Sequence, residues 1–335
     1  MAQLEASNHL LNIQKFDAQS ASANEPAAST PSVQEQVDTG KEDSHYRLHR
    51  RFDRLGRLFG DEAVENLMKQ RIVVFGLGGV GGFVAEALAR SAIGRLMLVD
   101  FDKVCVTNTN RQLQAMRGNV GKCKATILQE RLALINPHAD IRAREEFYHA
   151  ETSDVLLRSP WKGETEHYDF VVDCIDNLTA KAHLIATCRA KGIPLVSSMG
   201  AAGKLDPTRI RIADLGETHG CRLAKDMRKI LRKEYGFPSK GPMGVTAVFS
   251  DEERSWPRQL TYDNGEGFRC VCPQKSALHG CDSRNLIDGT AVYVTGTFGM
   301  VCASAVVNEL TKDLIERAPR EAYRQPQQGT TAQPA

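Results

Sequence analysis

The chain contains no C-x-x-C pair, although it carries nine cysteines. An odd count without a C-x-x-C pair lacks both the ligand spacing of a four-cysteine zinc site and the even number of a complete disulfide framework. No structural zinc is therefore expected, and a reducing cytoplasm fits best. An excess of either charge is also missing, because 43 Lys and Arg face 41 Asp and Glu. Any contact with nucleic acid must then come from a local patch. The opening residues Met1-Ala-Gln-Leu-Glu5 lack the basic start and apolar core of a secretory signal. Long hydrophobic runs are scarce. The one weakly charged stretch, residues 291–308, holds Thr295, Gly296, Thr297, Gly299, Ser304 and Asn308, which suit a buried or subunit-interface helix better than a membrane span. Residues 1–45 have few aromatics and are rich in Ala, Ser, Gln, Pro and Glu. They are expected to be a disordered tail, as are residues 319–335.

What the chain does have is an apolar run feeding glycines. Arg71-Ile-Val-Val-Phe-Gly76-Leu-Gly78-Gly79-Val-Gly81 leads into a helical pattern and then into Leu96-Met-Leu-Val-Asp100-Phe-Asp102. Glycine permits a tight turn and lets phosphate oxygens approach the backbone, while amide hydrogens at the helix start point at the anion. Asp100 lies about twenty residues after the glycines, where such folds place a carboxylate on a ribose hydroxyl. Two cations follow, Arg111 in Asn108-Thr-Asn110-Arg111-Gln112 and Lys124 in Gly121-Lys122-Cys-Lys124. A triphosphate carries more charge than a dinucleotide's pyrophosphate and calls for positive side chains. Arg111 would supply a planar fork and Lys124 a point charge. Read singly, each also fits a solvated helix surface.

The ordered string of glycine turn, Asp-x-Asp, Asn-x-x-Arg-Gln and later Lys, with Cys174-Ile-Asp176-Asn177 beyond it, resembles the ubiquitin-activating superfamily of ATP-dependent adenylyltransferases. The resemblance implies an α/β fold, a doubly wound Rossmann-like and mostly parallel sheet with a C-terminal mixed-sheet extension and helices. One adenylyltransferase domain is expected over residues 46–318, with a nucleotide half at about 70–200 and a substrate half at about 200–318. ATP would lie against Gly76, Gly78, Gly79, Gly81, Asp100, Asp102, Asn108, Gln112 and Lys124. Asp176 would hold Mg²⁺, since that ion is usually bound by one or two carboxylates plus phosphates. Capping is the alternative role for Asp176, Asn108 and Gln112. Relatives of this kind are homodimers in which an arginine of the entry segment reaches the neighbouring site. Arg57 and Arg54 are both candidates, against a plain surface role.

The alternation of patterns predicts strands at 72–75, 96–99, 141–147, 168–173, 193–198 and 244–250. It predicts helices at 61–69, 79–91, 121–136, 154–157, 178–191, 221–235 and 290–316. In the helix at 221–235, Leu223, Met227, Ile230 and Leu231 form the apolar face. Arg222, Lys225, Arg228, Lys229, Arg232 and Lys233 occupy the rest. That face reads either as solvated or as a phosphate-contact surface for nucleic acid. The loop at 251–289 contains Cys270, Cys272 and Cys281. Cys270 is a candidate nucleophile, with only Arg269 nearby to lower its thiol pKa.

Further residues, among them Arg51-Phe, Asp206-Pro-Thr208, residues 244–250 and Thr295-Gly-Thr-Phe-Gly299, are similar to the branch that cyclises a threonylcarbamoyl group on tRNA adenosine. That similarity implies tRNA as partner and the basic helix as its contact. The alternative is activation of the C-terminal glycine of a ubiquitin-like sulfur carrier. A monovalent cation, and a docking cysteine desulfurase or sulfur-acceptor protein, stay open at this point.

Overall fold

The computed structural model describes residues 51–258 and 287–315. Two helices, α1 (Asp53–Phe59) and α2 (Asp61–Lys69), enter a seven-stranded sheet. Its strands are β1 (Arg71–Phe75), β2 (Arg95–Val99), β3 (Asp140–Arg144), β4 (Phe170–Asp173), β5 (Leu195–Ser198), β6 (Ile210–Asp214) and β7 (Thr246–Ser250), in the order β3-β2-β1-β4-β5-β7-β6. All neighbouring pairs are parallel except β6 with β7. The mostly parallel sheet with a mixed edge is thus present, and the second half of the chain shares one sheet with the first.

Successive residues of a strand point to opposite faces, and both faces here are covered. Ile72 and Val74 of β1 join one core, whereas Val73 and Phe75 join the other. A continuous apolar run is the necessary result. Helices α3 (Gly81–Arg90), α4 (Lys124–Ile135) and α8 (Val292–Thr311) contribute to the first core. Helices α5 (Ser153–Leu157), α6 (Leu178–Lys191) and α7 (Arg222–Glu234) lie on the second side. Residues of α8 such as Val294, Phe298, Cys302 and Val306 are buried there. Among the described residues, no helix is long and apolar enough to cross a membrane.

Three boundaries differ from the sequence pattern in ways that shape the site. Helix α4 begins at Lys124 rather than at 121, because Val104 donates to the Lys122 carbonyl at 2.8 Å and Lys124 donates to the Asp102 carbonyl at 3.0 Å. Strand β3 stops at Arg144, which releases Glu146, Phe147 and Tyr148 toward the carboxyl edge of the sheet. Helix α8 ends at Thr311 and does not extend to 316. The expected tails and most of the 251–289 loop, including Cys270, Cys272 and Cys281, lie outside the described residues.

Candidate active site

Strand order reverses between β1 and β4, and an open α/β sheet forms a crevice where the connections diverge. A cleft of about 700 Å³ lies at that edge. Gly76, Gly78, Gly79, Asp100, Asp102, Asn108, Arg111, Gln112, Lys124 and Asp176 all line it. Gly81 lies beneath, as the first residue of α3.

The turn after β1 has no room for side chains at its tightest points. Gly76 adopts φ +83°, and a Cβ there would stand 2.8 Å from the Cys174 carbonyl oxygen; one on Gly81 would meet the Gly76 carbonyl at 1.8 Å. Both positions therefore require glycine. Asp100, buried at the end of β2, braces the same turn. Its Oδ2 accepts from the Leu77 amide at 2.6 Å and its Oδ1 from the Asp102 amide at 2.7 Å. Burial pushes the Asp100 carboxyl above its ordinary range, against the nearby Lys124 charge and those two amides.

Lys124 is only 6% exposed, and its Nζ lies 2.8 Å from Asp102 Oδ2. Arg111 reaches over Gly79, with Nη1 donating to the Thr107 carbonyl at 2.9 Å and to Asn110 Oδ1 at 3.0 Å. Asn108 lines the cleft and also caps its own loop, since its Oδ1 accepts from the Cys105 amide at 3.0 Å. Asp176 is not the cap of α6. That role belongs to Asn177, whose side chain accepts from the Ala180 amide at 3.0 Å. The Asp176 carboxylate is exposed at the cleft and makes no hydrogen bond or ion pair among the described residues.

Other contributors were not singled out by sequence reasoning. Gln114 is fully buried and donates to the Leu77 carbonyl at 2.6 Å. It lies two residues after the Asn-x-x-Arg-Gln string, so extending that string was the available signal. Phe101 and Phe147 meet edge-on with centroids 4.9 Å apart, and both line the cleft. The Cys174 thiol beside the cleft and the Cys302 thiol buried in the core are not activated. Burial pushes Cys174 well above a normal thiol and Cys302 up to about 12.

The entry arginines do not reach this cleft. Arg57 is exposed on α1, 3.0 Å from Asp53 Oδ2, and Arg54 is exposed beside it. The basic helix α7 sorts into two groups. Arg228 Nη1 donates to the Thr218 carbonyl at 2.9 Å and also bonds the Thr218 hydroxyl; Arg232 Nε donates to the Pro238 carbonyl at 3.0 Å. These two tie down neighbouring loops. Arg222, Lys225, Lys229 and Lys233 are exposed and follow one another by about one helical turn, which sets them along a single stripe. Leu223 packs with the apolar face as expected and also lines the cleft, so the stripe begins at the cleft's rim.

Fold and cleft together define a nucleotide-binding α/β domain of the adenylylating class. The chain belongs to the ThiF family, which it matches over residues 52–332. It is 41% identical over 265 residues to the tRNA threonylcarbamoyladenosine dehydratase of Haemophilus influenzae, covering 78% of this chain and 94% of that relative. Against the Bacillus subtilis protein of the same name, identity is 44% over 272 residues, with 80% and 96% covered. The crystal structure of Escherichia coli tRNA N6-threonylcarbamoyladenosine dehydratase, TcdA, in complex with ATP superposes with a TM-score of 0.66 at 36% identity, covering 83% of this chain and 97% of that one.

Proposed function

We propose that this chain catalyses the ATP-dependent dehydration of N6-threonylcarbamoyladenosine in tRNA, closing the threonylcarbamoyl group into a ring. The observation that carries the proposal is the convergence on one cleft of the glycine turn, Arg111, the Lys124–Asp102 pair and an Asp176 that has no partner among the described residues. It is supported by near full-length similarity to dehydratases.

The threonyl carboxylate is a poor electrophile. Attack of its oxygen on the α-phosphate of ATP expels pyrophosphate and gives an acyl adenylate. A carbamoyl nitrogen then attacks the acyl carbon, its proton is released, and the original carboxylate oxygen departs on AMP. Two steps replace one unfavourable expulsion of oxide. Amides of the glycine turn, Arg111 and Lys124 stabilise the charge that grows on the phosphates, and they are already in place before reaction. Asp102 holds Lys124 at the cleft until phosphate competes for it. Asp100 retains lone pairs for ribose hydroxyls beyond those used by the two amides, and Asn108 and Gln112 line the same pocket.

The donor set fits Mg²⁺ that arrives with the nucleotide. Asp100 and Asp102 are engaged, which leaves Asp176 as one hard anionic ligand, and Mg²⁺ takes its remaining ligands from phosphate and water. Bound there, it would neutralise phosphate charge.

The exposed stripe Arg222, Lys225, Lys229 and Lys233 holds the tRNA backbone and leads it away from the cleft. The enzyme works as a homodimer in the cytoplasm, and Arg57 or Arg54 of one protomer completes the site of its partner.

The test is to incubate the protein with labelled ATP and tRNA carrying the threonylcarbamoyl nucleoside. AMP and a nucleoside lighter by one water are expected. Unchanged nucleoside mass, with pyrophosphate exchange that depends on a small carrier protein, would replace this function with activation of a sulfur carrier.

A further inference from the structure

The segment 174–177, which carries Asp176, is bracketed by an ion pair with no solvent contact. Asp173 ends β4 and Lys181 lies in the second turn of α6; both side chains are 0% exposed, with Nζ 2.8 Å from Oδ2. The same Oδ2 accepts from the Ser197 hydroxyl at the end of β5 at 2.6 Å. The other oxygen, Oδ1, accepts from the Ile175 amide inside the segment at 3.0 Å. One carboxylate thus joins β4, β5, α6 and the Asp176 loop.

Stability alone is a weak reason for such a pair. Desolvating two charges offsets most of their attraction, and apolar residues of the same volume commonly serve a core as well. What the pair does provide is a definite geometry at both ends of a short loop. Lys181 also donates its backbone amide to the Asn177 carbonyl at 2.9 Å, and Asn177 caps the helix directly after Asp176.

The segment touches the glycine turn as well. Cys174 donates to the Phe75 carbonyl at 2.8 Å, and its own carbonyl lies against Gly76 so closely that a methyl group could not fit between them. A shift of 174–176 would therefore displace the Asp176 carboxylate and the phosphate turn relative to each other.

We propose that Lys181 and Asp173, with Ser197, are positioning residues that hold Asp176 in register with the glycine turn, so that metal and phosphates are bound as one unit. This rests on the assignment of the cleft to Mg·ATP. None of the three residues lines the cleft; they act through residues 174–176.

The test compares the parent with two variants by calorimetry of ATP binding across a magnesium titration, alongside tRNA affinity and AMP formation. The first variant combines Lys181→Met with Asp173→Asn, which removes both charges together and leaves neither buried alone. Its magnesium requirement for ATP binding is expected to rise by about tenfold or more, as for other residues that orient a metal ligand, while tRNA affinity stays unchanged. Ser197→Ala keeps the ion pair and removes one anchor, and a smaller shift in the same direction is expected. Parent-like magnesium dependence in a folded double variant overturns the proposal. Should the double variant fail to fold, parent-like behaviour of Ser197→Ala overturns it instead. A parent protein that binds no ATP at any magnesium concentration sinks the cleft assignment, and this proposal with it.

Discussion

Lys124 and Asp102 form a 2.8 Å ion pair across the rim of the cleft, with the lysine side chain almost wholly shielded from water. Neither residue is close to the other in sequence. They meet because α4 starts at Lys124, immediately after the chain bridges back between Lys103 and Cys123. A shielded ammonium held at the cleft loses little freedom if a phosphate takes the place of Asp102, and under the proposed function its effect would fall on the transition state.

Lys124→Ala is accordingly expected to reduce AMP formation by about 100-fold or more, the scale of a lost preorganised charge contact. Affinity for tRNA should stay near that of the parent. Rapid-quench assay of AMP, with filter binding of tRNA, checks both. Retained turnover would remove Lys124 from the phosphate site.

The cations of α7 should separate into two behaviours. Combining Lys225→Ala with Lys229→Ala removes two exposed charges, so tRNA affinity should fall and the salt slope should become shallower by about 1.5 units. Thermal stability should hardly change. Arg228→Ala should do the reverse, because it removes hydrogen bonds to Leu215 and Thr218. A stability loss of about 1–3 kcal/mol is expected from the Thr218 carbonyl left unpaired, with little effect on the salt slope. Equal effects from both variants would dissolve the distinction.

Asp214 supplies a pH dependence whose direction can be worked out. Burial acts to raise its pKa, but hydrogen bonds from the Met243, Gly216, Val245 and Gly244 amides outweigh burial and hold the carboxyl below its ordinary range. The native state thus binds this proton less readily than the unfolded chain does. The stabilisation is complete above the unfolded value of about 4 and is lost as pH falls through the lower native value. Asp214→Asn should be less stable than the parent at neutral pH, and the gap should narrow on acidification. Denaturant unfolding at several pH values checks this; a gap that stays constant would mean the amides gain nothing from the charge.

Much of the site was legible because its residues lie in short, ordered strings. The glycine turn, Asp100, Asp102, Arg111 and Gln112 follow directly from one strand–turn–helix unit and the loop after it, and local chemistry decides what such a unit can hold. Asp176 was visible for the same reason. Its neighbour Asp173 stood in the same string but showed no sign of its buried ion pair, because its partners Lys181 and Ser197 arrive from a helix and a separate strand. The capping alternative for Asp176 was equally undecidable in one dimension, since Asp176 and Asn177 are both good caps and only backbone geometry selects between them.

The order of apolar runs, glycines and charges was sufficient by itself for alternating strands and helices and for a nucleotide cleft, because strand burial, glycine turns and helix starts are written within a few neighbouring residues; the doubly wound sheet and the kind of chemistry came from the resemblance that the ordered motifs carry. Tertiary structure alone decided which charges are available to a ligand. Arg228 and Arg232 look identical to Lys225 and Lys229 along the chain, yet carbonyls of Thr218 and Pro238 take the arginines and leave the lysines to solvent. A charge acts on whatever lies within a few ångströms of it, and the fold determines which groups those are.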